Sequence, residues 1–136
     1  MKKFHEYSIG DKASLSKTFT EADVIGFAEL SLDKNPVHLD AEYAKGTIFK
    51  QRIVHGMFYA ALISGVLGTQ CPGYGTIYMA QTCKFKAPVY IGDTVTATVE
   101  IVEMNTEKKT MRIITNCTKQ DGTMVIEGEA MVKRLE

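Results

Sequence analysis

The chain of 136 residues has no excess of charge of either sign: 16 Lys and Arg offset 16 Asp and Glu. Without net positive charge there is no whole-chain attraction to nucleic acid or to an anionic membrane surface. A local basic patch for a small anion remains open. Cysteine is scarce. Cys71, Cys83 and Cys117 are odd in number and widely spaced, with no CxxC, so neither a zinc site nor a redox pair is indicated. Buried thiols in a reducing compartment are expected. Long hydrophobic runs are also missing. The most apolar stretch, Met57 to Gly68, has about a dozen residues, where a membrane-spanning helix needs about twenty. Met1-Lys2-Lys3-Phe4-His5-Glu6 is basic, but no apolar segment follows it, so no signal peptide is read. These absences lead us to expect a cytoplasmic protein without nucleic-acid or membrane partners.

No repeat, linker or low-complexity segment interrupts the chain. With 45% apolar and 24% charged residues, it has the composition of a folded globular domain. Its length fits one domain spanning residues 1–136. The first half reads as helical and irregular. Ala13, Leu15, Lys17 and Phe19 alternate with polar residues, as in an edge strand. Thr20 follows as a helix N-cap, with Glu21 and Asp23 in the first turn, where the helix dipole favours acids. Val24, Phe27, Ala28 and Leu30 recur at helical spacing, and the helix should end near Ser31, before Asn35-Pro36. Asp40 to Lys45 reads as a short helix stopped at Gly46. Met57 to Gly68 is apolar nearly all round and should form a helix buried on most sides.

The second half reads as strands. After the turn cluster Pro72-Gly73-Tyr74-Gly75, Ile77, Met79, Gln81, Cys83 and Phe85 should share one face. Val95, Ala97, Val99 and Ile101 oppose Thr94, Thr96, Thr98 and Glu100, a half-buried antiparallel strand. Met111 to Thr118 and Met124 to Val132 flank a hairpin turn at Gln120-Asp121-Gly122. The pattern predicts an α+β domain: a curved antiparallel sheet wrapped around one long helix. Such a sheet has open edges, and pairing two copies edge to edge in a dimer would close them.

Two stretches carry chemistry. In Asp33-Lys34-Asn35-Pro36-Val37-His38 the proline fixes its own φ and pushes Asn35 out of the helical region, so the segment is a rigid turn after a helix. A rigid turn can hold a carboxylate and an imidazole on one side, where they share one water or one proton and provide a base and an acid together. The same spacing also allows Asp33 to cap a helix and His38 to be a surface or core-edge residue. In Arg52-Ile53-Val54-His55-Gly56-Met57, a glycine at the start of a buried helix exposes free backbone N–H groups backed by the positive dipole end. That end would stabilise a developing oxyanion; tight packing would equally call for the glycine. His55 reads as a structural hydrogen-bonding residue and His5 as exposed.

Taken together, these stretches resemble the MaoC-like, (R)-specific enoyl-CoA hydratase (hydratase 2) family. The resemblance continues through Leu62-Ile63-Ser64-Gly65-Val66-Leu67-Gly68, Pro72-Gly73-x-Gly75-x-Ile77-Tyr78, Phe85-Lys86-Ala87-Pro88-Val89 and Ile91-Gly92-Asp93-x-Val95, roughly from Gly10 to Lys133. It implies the hot-dog fold, a homodimer or higher homo-oligomer, and reversible syn addition of water to trans-2-enoyl-CoA giving (R)-3-hydroxyacyl-CoA. Asp33 and His38 would be the catalytic pair and Gly56 the donor to the thioester oxygen. Asn35 would be a turn or active-site contact, and Ser64 a serine near the pair. Neither metal nor redox cofactor would be needed, coenzyme A being part of the substrate. Arg52, Lys84 and Lys86 lie near the motifs and are candidates for its phosphates. Gly128 and Ala130 would leave room for the acyl chain. Where the family motif has glycine before the aspartate, this chain has Leu32, which implies a turn needing no positive φ there. Alternatives are a hot-dog acyl-CoA thioesterase, a 3-hydroxyacyl-acyl-carrier-protein dehydratase and a non-catalytic acyl-CoA-binding protein.

Overall fold

The apolar stretch after His55 becomes the axis around which the rest of the chain is arranged. In the computed structural model, which describes residues 1–136, a 3-10 turn at Phe4–Glu6 precedes β1 (Lys12–Thr18), α1 (Glu21–Ser31), α2 (Pro36–Leu39), α3 (Ala41–Lys45) and the central helix α4 (Gly56–Thr69). Four strands follow: β2 (Thr76–Phe85), β3 (Thr94–Asn105), β4 (Thr110–Lys119) and β5 (Met124–Arg134). They form one five-stranded sheet in the order β1-β3-β4-β5-β2, with every neighbouring pair antiparallel. Tyr59, Ile63, Val66 and Leu67 of α4 are buried against an inner sheet face that includes Val95, Ala97, Val99 and Ile101 of β3 and Ile113 of β4. This is the predicted hot-dog arrangement. No helix is long and apolar enough to cross a membrane.

Local signals account for most element ends. Thr20 caps α1 by accepting from the Asp23 N–H at 3.1 Å, and Asp23 answers by accepting from the Thr20 N–H at 3.0 Å, a reciprocal capping box. Asp40 caps α3, accepting from Glu42 and Tyr43 N–H. The strand alternation read from Thr94 to Ile101 holds, with all four apolar members fully buried.

Four expectations are corrected. Leu30 is 88% exposed, because at about 100° per residue it falls off the face shared by Val24, Phe27 and Ala28. The central helix is covered on one side only: Met57, Ala61, Ser64 and Gly68 are exposed, since a single five-stranded sheet reaches halfway round it. In β2 the pairing with β5 slips between Tyr78 and Ala80. Gln81, Cys83 and Phe85 oppose the buried-face positions Ala130, Gly128 and Ile126, whereas beyond the slip Tyr78, not Ile77, opposes Val132. The extra residue flips every side chain before it to the other face.

Gly128 is the fourth. A Cβ there would lie 2.6 Å from the Thr82 carbonyl oxygen and 2.8 Å from that of Thr115. The room left by its missing side chain is filled by the neighbouring backbones, not offered to a ligand. Replacing Gly128 with Ala forces backbone atoms apart and should lower stability by about 2 kcal/mol or more, read as a lower urea midpoint with unchanged slope; a midpoint equal to the wild type contradicts this packing.

Candidate active site

The turn after α1 begins with a strained residue. Leu32 takes φ 68°, and its N–H donates back to the Ala28 carbonyl at 2.9 Å. The expectation that this position needs no positive φ is therefore overturned: the turn does require the left-handed region, and a leucine occupies it at a cost of about 1–2 kcal/mol. Asp33 follows. Its N–H donates to Ser31 Oγ at 3.1 Å, and its Oδ1 accepts from the Asn35 N–H at 3.2 Å. Asn35 then caps α2, its Oδ1 accepting from the Val37 N–H at 3.1 Å, with Pro36 in the first helical position, where its missing N–H is no loss. The stretch read as a rigid turn thus contains one helical turn, and that turn carries His38 inward.

His38 is held by a backbone acceptor. Its Nδ1 lies 2.8 Å from the Ile53 carbonyl oxygen. A carbonyl only accepts, so Nδ1 carries the proton and Nε2 is left facing Asp33. Nε2 and Asp33 Oδ2 are 3.9 Å apart. That is too long for a direct hydrogen bond and suits one bridging water. The His38 side chain is 9% exposed and that of Asp33 50%, so the pair spans the boundary between interior and solvent. Ile53 braces the same turn a second time, its N–H donating to the Val37 carbonyl at 3.2 Å.

His55 is 1% exposed. Its Nε2 donates to the Asp33 carbonyl at 2.9 Å, and its ring stacks on His38 with centroids 3.8 Å apart. Burial pushes its pKa below the usual histidine value, opposed by the bond to the Asp33 backbone and assisted by nearby His38, which favours the neutral ring. Asp33, His38 and His55 bring one metal-ligating atom each to within 4.8 Å of the others. The two rings are inclined by only 24°, however, so their in-plane lone pairs run side by side and do not converge as a chelate requires.

Gly56 opens α4 next to these groups. A cavity of about 390 Å³ there is lined by His38, Gly56, Tyr59, Phe85, Lys86 and Pro88, among others. The first N–H groups of α4 have no partner within the helix. A Cβ on Gly56 would lie 2.8 Å from Phe85 Cε1, so the glycine serves close packing as well as access. Burial pushes the Tyr59 phenol up to about 12, leaving it neutral in the wall.

The remaining predicted residues are distributed unevenly. Lys86 reaches the cavity, with Nζ 3.9 Å from Glu127. Arg52 is engaged elsewhere: Nε donates to the His38 carbonyl and Nη1 to Glu21 Oε1, each at 2.7 Å. These two bonds clamp α2 to the start of α1. Lys84 lines a depression on the other face of the sheet with Glu127 and Glu129. Ser64 sits on the uncovered side of α4, and the single chain does not bring it to the pair. His5 is exposed, as expected. The Ile53 carbonyl and the Phe85 wall were not foreseen; a backbone acceptor leaves no trace in residue type, whereas Phe85 lay within a motif already noted.

A curved sheet around one helix, with a carboxylate and an imidazole beside the amide end of that helix, defines the class: a hot-dog enzyme equipped for proton transfer. The MaoC-like domain family model matches residues 7–122, and the chain belongs to that family. It is 54% identical over 129 residues, 95% of its own length and 89% of the relative's, to a Rhodospirillum rubrum protein named (R)-specific enoyl-CoA hydratase. Among solved structures it matches the (R)-hydratase from A. caviae involved in PHA biosynthesis, with TM-score 0.91 and 47% identity over 94% of this chain and 97% of that one. It also matches the unliganded R-hydratase PhaJ1 from Pseudomonas aeruginosa, with TM-score 0.92 and 43% identity over 98% and 85%.

The strain at Leu32 is testable. Leu32→Gly should keep full stability or gain up to about 1 kcal/mol, relief of the left-handed cost being offset by glycine's greater freedom when unfolded. Leu32→Val, β-branched at a positive φ, should fall below both in urea unfolding. Equal midpoints for the Gly and Val variants would contradict the strained turn.

Proposed function

We propose that this chain is an (R)-specific enoyl-CoA hydratase, adding water reversibly and with syn geometry to trans-2-enoyl-CoA to give (R)-3-hydroxyacyl-CoA. The observation that carries the reading is the approach of Asp33 Oδ2 and His38 Nε2 to 3.9 Å, close enough for both to hydrogen-bond one water, with His38 and Gly56 lining the same largely apolar cavity. Asp33, ionised, takes a proton from that water as its oxygen bonds to C3. His38, protonated at both nitrogens, gives the Nε2 proton to C2. The electron pair displaced onto the thioester oxygen is met by the Gly56 N–H at the start of α4; one such donor contributes roughly 3 kcal/mol to lowering a barrier. The proton then returns from Asp33 to His38 across the gap, and in a coupled pair the two roles can exchange. Both protons come from one side, which makes the addition syn. The gain of oxygen at C3 is matched by the gain of hydrogen at C2, so there is no net redox change for a redox cofactor to supply, and coenzyme A is part of the substrate.

Lys86 at the cavity is the cation best placed for a coenzyme A phosphate. Asn35 contributes by holding the turn, and Ser64 takes no part in the mechanism drawn from one chain. Ile77, Tyr78, Met79 and Phe85 of edge strand β2 are exposed, and an exposed apolar edge is a surface for pairing. This supports a homodimer joined across β2. Three free cysteines fit a reducing cytoplasm.

Purified protein should hydrate crotonyl-CoA, with chiral analysis giving the (R)-3-hydroxy product, and should release no free thiol from butyryl-CoA. Asp33→Asn and His38→Gln should each lower turnover by about 10²-fold or more while keeping the wild-type circular dichroism. Near-native turnover by either variant would remove the pair from the mechanism, and thiol release from butyryl-CoA would point to a thioesterase.

A further inference from the structure

The turn that carries Asp33 is held by local bonds to its flanking helices and by one long-range hydrogen bond. Within residues 32–35, Leu32 bonds to Ala28, Lys34 to Leu32, Asp33 to Ser31 and Asn35 to Asp33. All of these bonds are local, as are those that Asn35 accepts from the Val37 and His38 N–H groups and the Lys34–Glu29 ion pair at 3.2 Å; they join the turn to α1 and α2. The long-range hydrogen bond of the segment is the one from His55 Nε2–H to the Asp33 carbonyl, at 2.9 Å and 22 residues away in sequence. The same ring lies on the face of His38 at 3.8 Å, and Phe27 of α1 meets it at 4.9 Å. Two residues earlier in the chain, the Ile53 carbonyl takes the His38 Nδ1–H. One short segment, Ile53–His55, therefore locates both members of the pair.

We propose that His55 is a positioning residue for this reaction: by donating to the Asp33 backbone while stacking on His38, it sets the width of the gap that the reacting water occupies. The inference rests on the reading of Asp33 and His38 as the acid–base pair. His55 touches no substrate atom in that mechanism. Its Nε2–H has a backbone acceptor, and its Nδ1 is buried with no hydrogen-bond partner. Its neutrality suits the role, because a second cation stacked on His38 would oppose the protonated state that delivers a proton to C2. The titratable groups facing it are His38 of α2 and Asp33 of the turn; Phe27 of α1 brings no charge. Misplacing reacting groups by about 1 Å can lower rates by as much as 10²-fold, so loss of the tether should appear in turnover and not in substrate affinity.

Three variants separate the hydrogen bond from packing. His55→Phe keeps a stacked ring and removes the donor. Glutamine can place its amide N–H near the position of Nε2, whereas the shorter asparagine amide reaches only to that of Nδ1. With crotonyl-CoA, His55→Phe should lower kcat roughly tenfold or more with KM within about twofold, and His55→Gln should recover kcat to within about threefold of wild type. If His55→Phe does not fold, the comparison passes to Gln against Asn, with Gln expected to be clearly faster. Wild-type kcat in His55→Phe, equal kcat in Gln and Asn, or a loss appearing mainly in KM would each overturn the proposal. Active wild type with inactive Asp33→Asn, alongside an unaffected His55→Phe, would refute the positioning role alone. An inert wild type would refute the functional reading and the proposal with it.

Discussion

An imidazole presents a defined nitrogen to a substrate when its other nitrogen is anchored. In this protein the anchor is the Ile53 carbonyl, 2.8 Å from His38 Nδ1. It sets which nitrogen is free, aims that nitrogen at Asp33, and holds the ring in one plane. Every other feature of the site works around this bond. Arg52 donates to the backbone carbonyl of His38 itself, Ile53 donates to Val37, and His55 covers the ring face. Without the anchor the ring could turn, and the 3.9 Å gap would have no defined occupant.

The fold provides the anchor by bringing an irregular segment alongside a short helix. Residues 52–54 run almost as a strand: Ile53 bridges to Tyr90, and Val54 donates to the Val89 carbonyl at 2.7 Å. This fastens the segment to the rim of the sheet just before α4 begins. The central helix therefore has two duties. Its buried face is the core against which the sheet curves, and its first residue presents backbone amides next to the pair. Burial of Ile63, Val66 and Leu67 stabilises the helix, and the helix in turn places Gly56. Stability and chemistry share one element, which is why Phe85 can pack onto Gly56 and line the cavity at once.

Features with a local cause were legible in the sequence. The caps at Thr20 and Asp40, the alternation from Val95 to Ile101 and the stiffening by Pro36 follow from residue type and spacing. The acid–imidazole pair was legible as a motif whose bland interpretations stayed open until the geometry brought Asp33 and His38 together. What escaped were through-space effects. Nothing in the residue string shows that Leu32 is driven to positive φ, that the slip near Met79 re-faces one end of β2, or that Arg52 turns inward to a carbonyl. Gly128 looked like spare room because its lack of a side chain was visible, whereas the neighbouring strand backbones that fill the space were not. The uncovered stripe on α4 belongs to the same category: an all-round apolar pattern reports that burial is needed without saying whether one chain supplies it.

Two backbone carbonyls fix opposite tautomers in two stacked histidines. Nitrogen-15 NMR of the histidine side chains measures this directly in the neutral state. The account predicts that His38 carries its proton on Nδ1 and His55 on Nε2. A His38 ring protonated at Nε2, or one exchanging freely between tautomers, would contradict it.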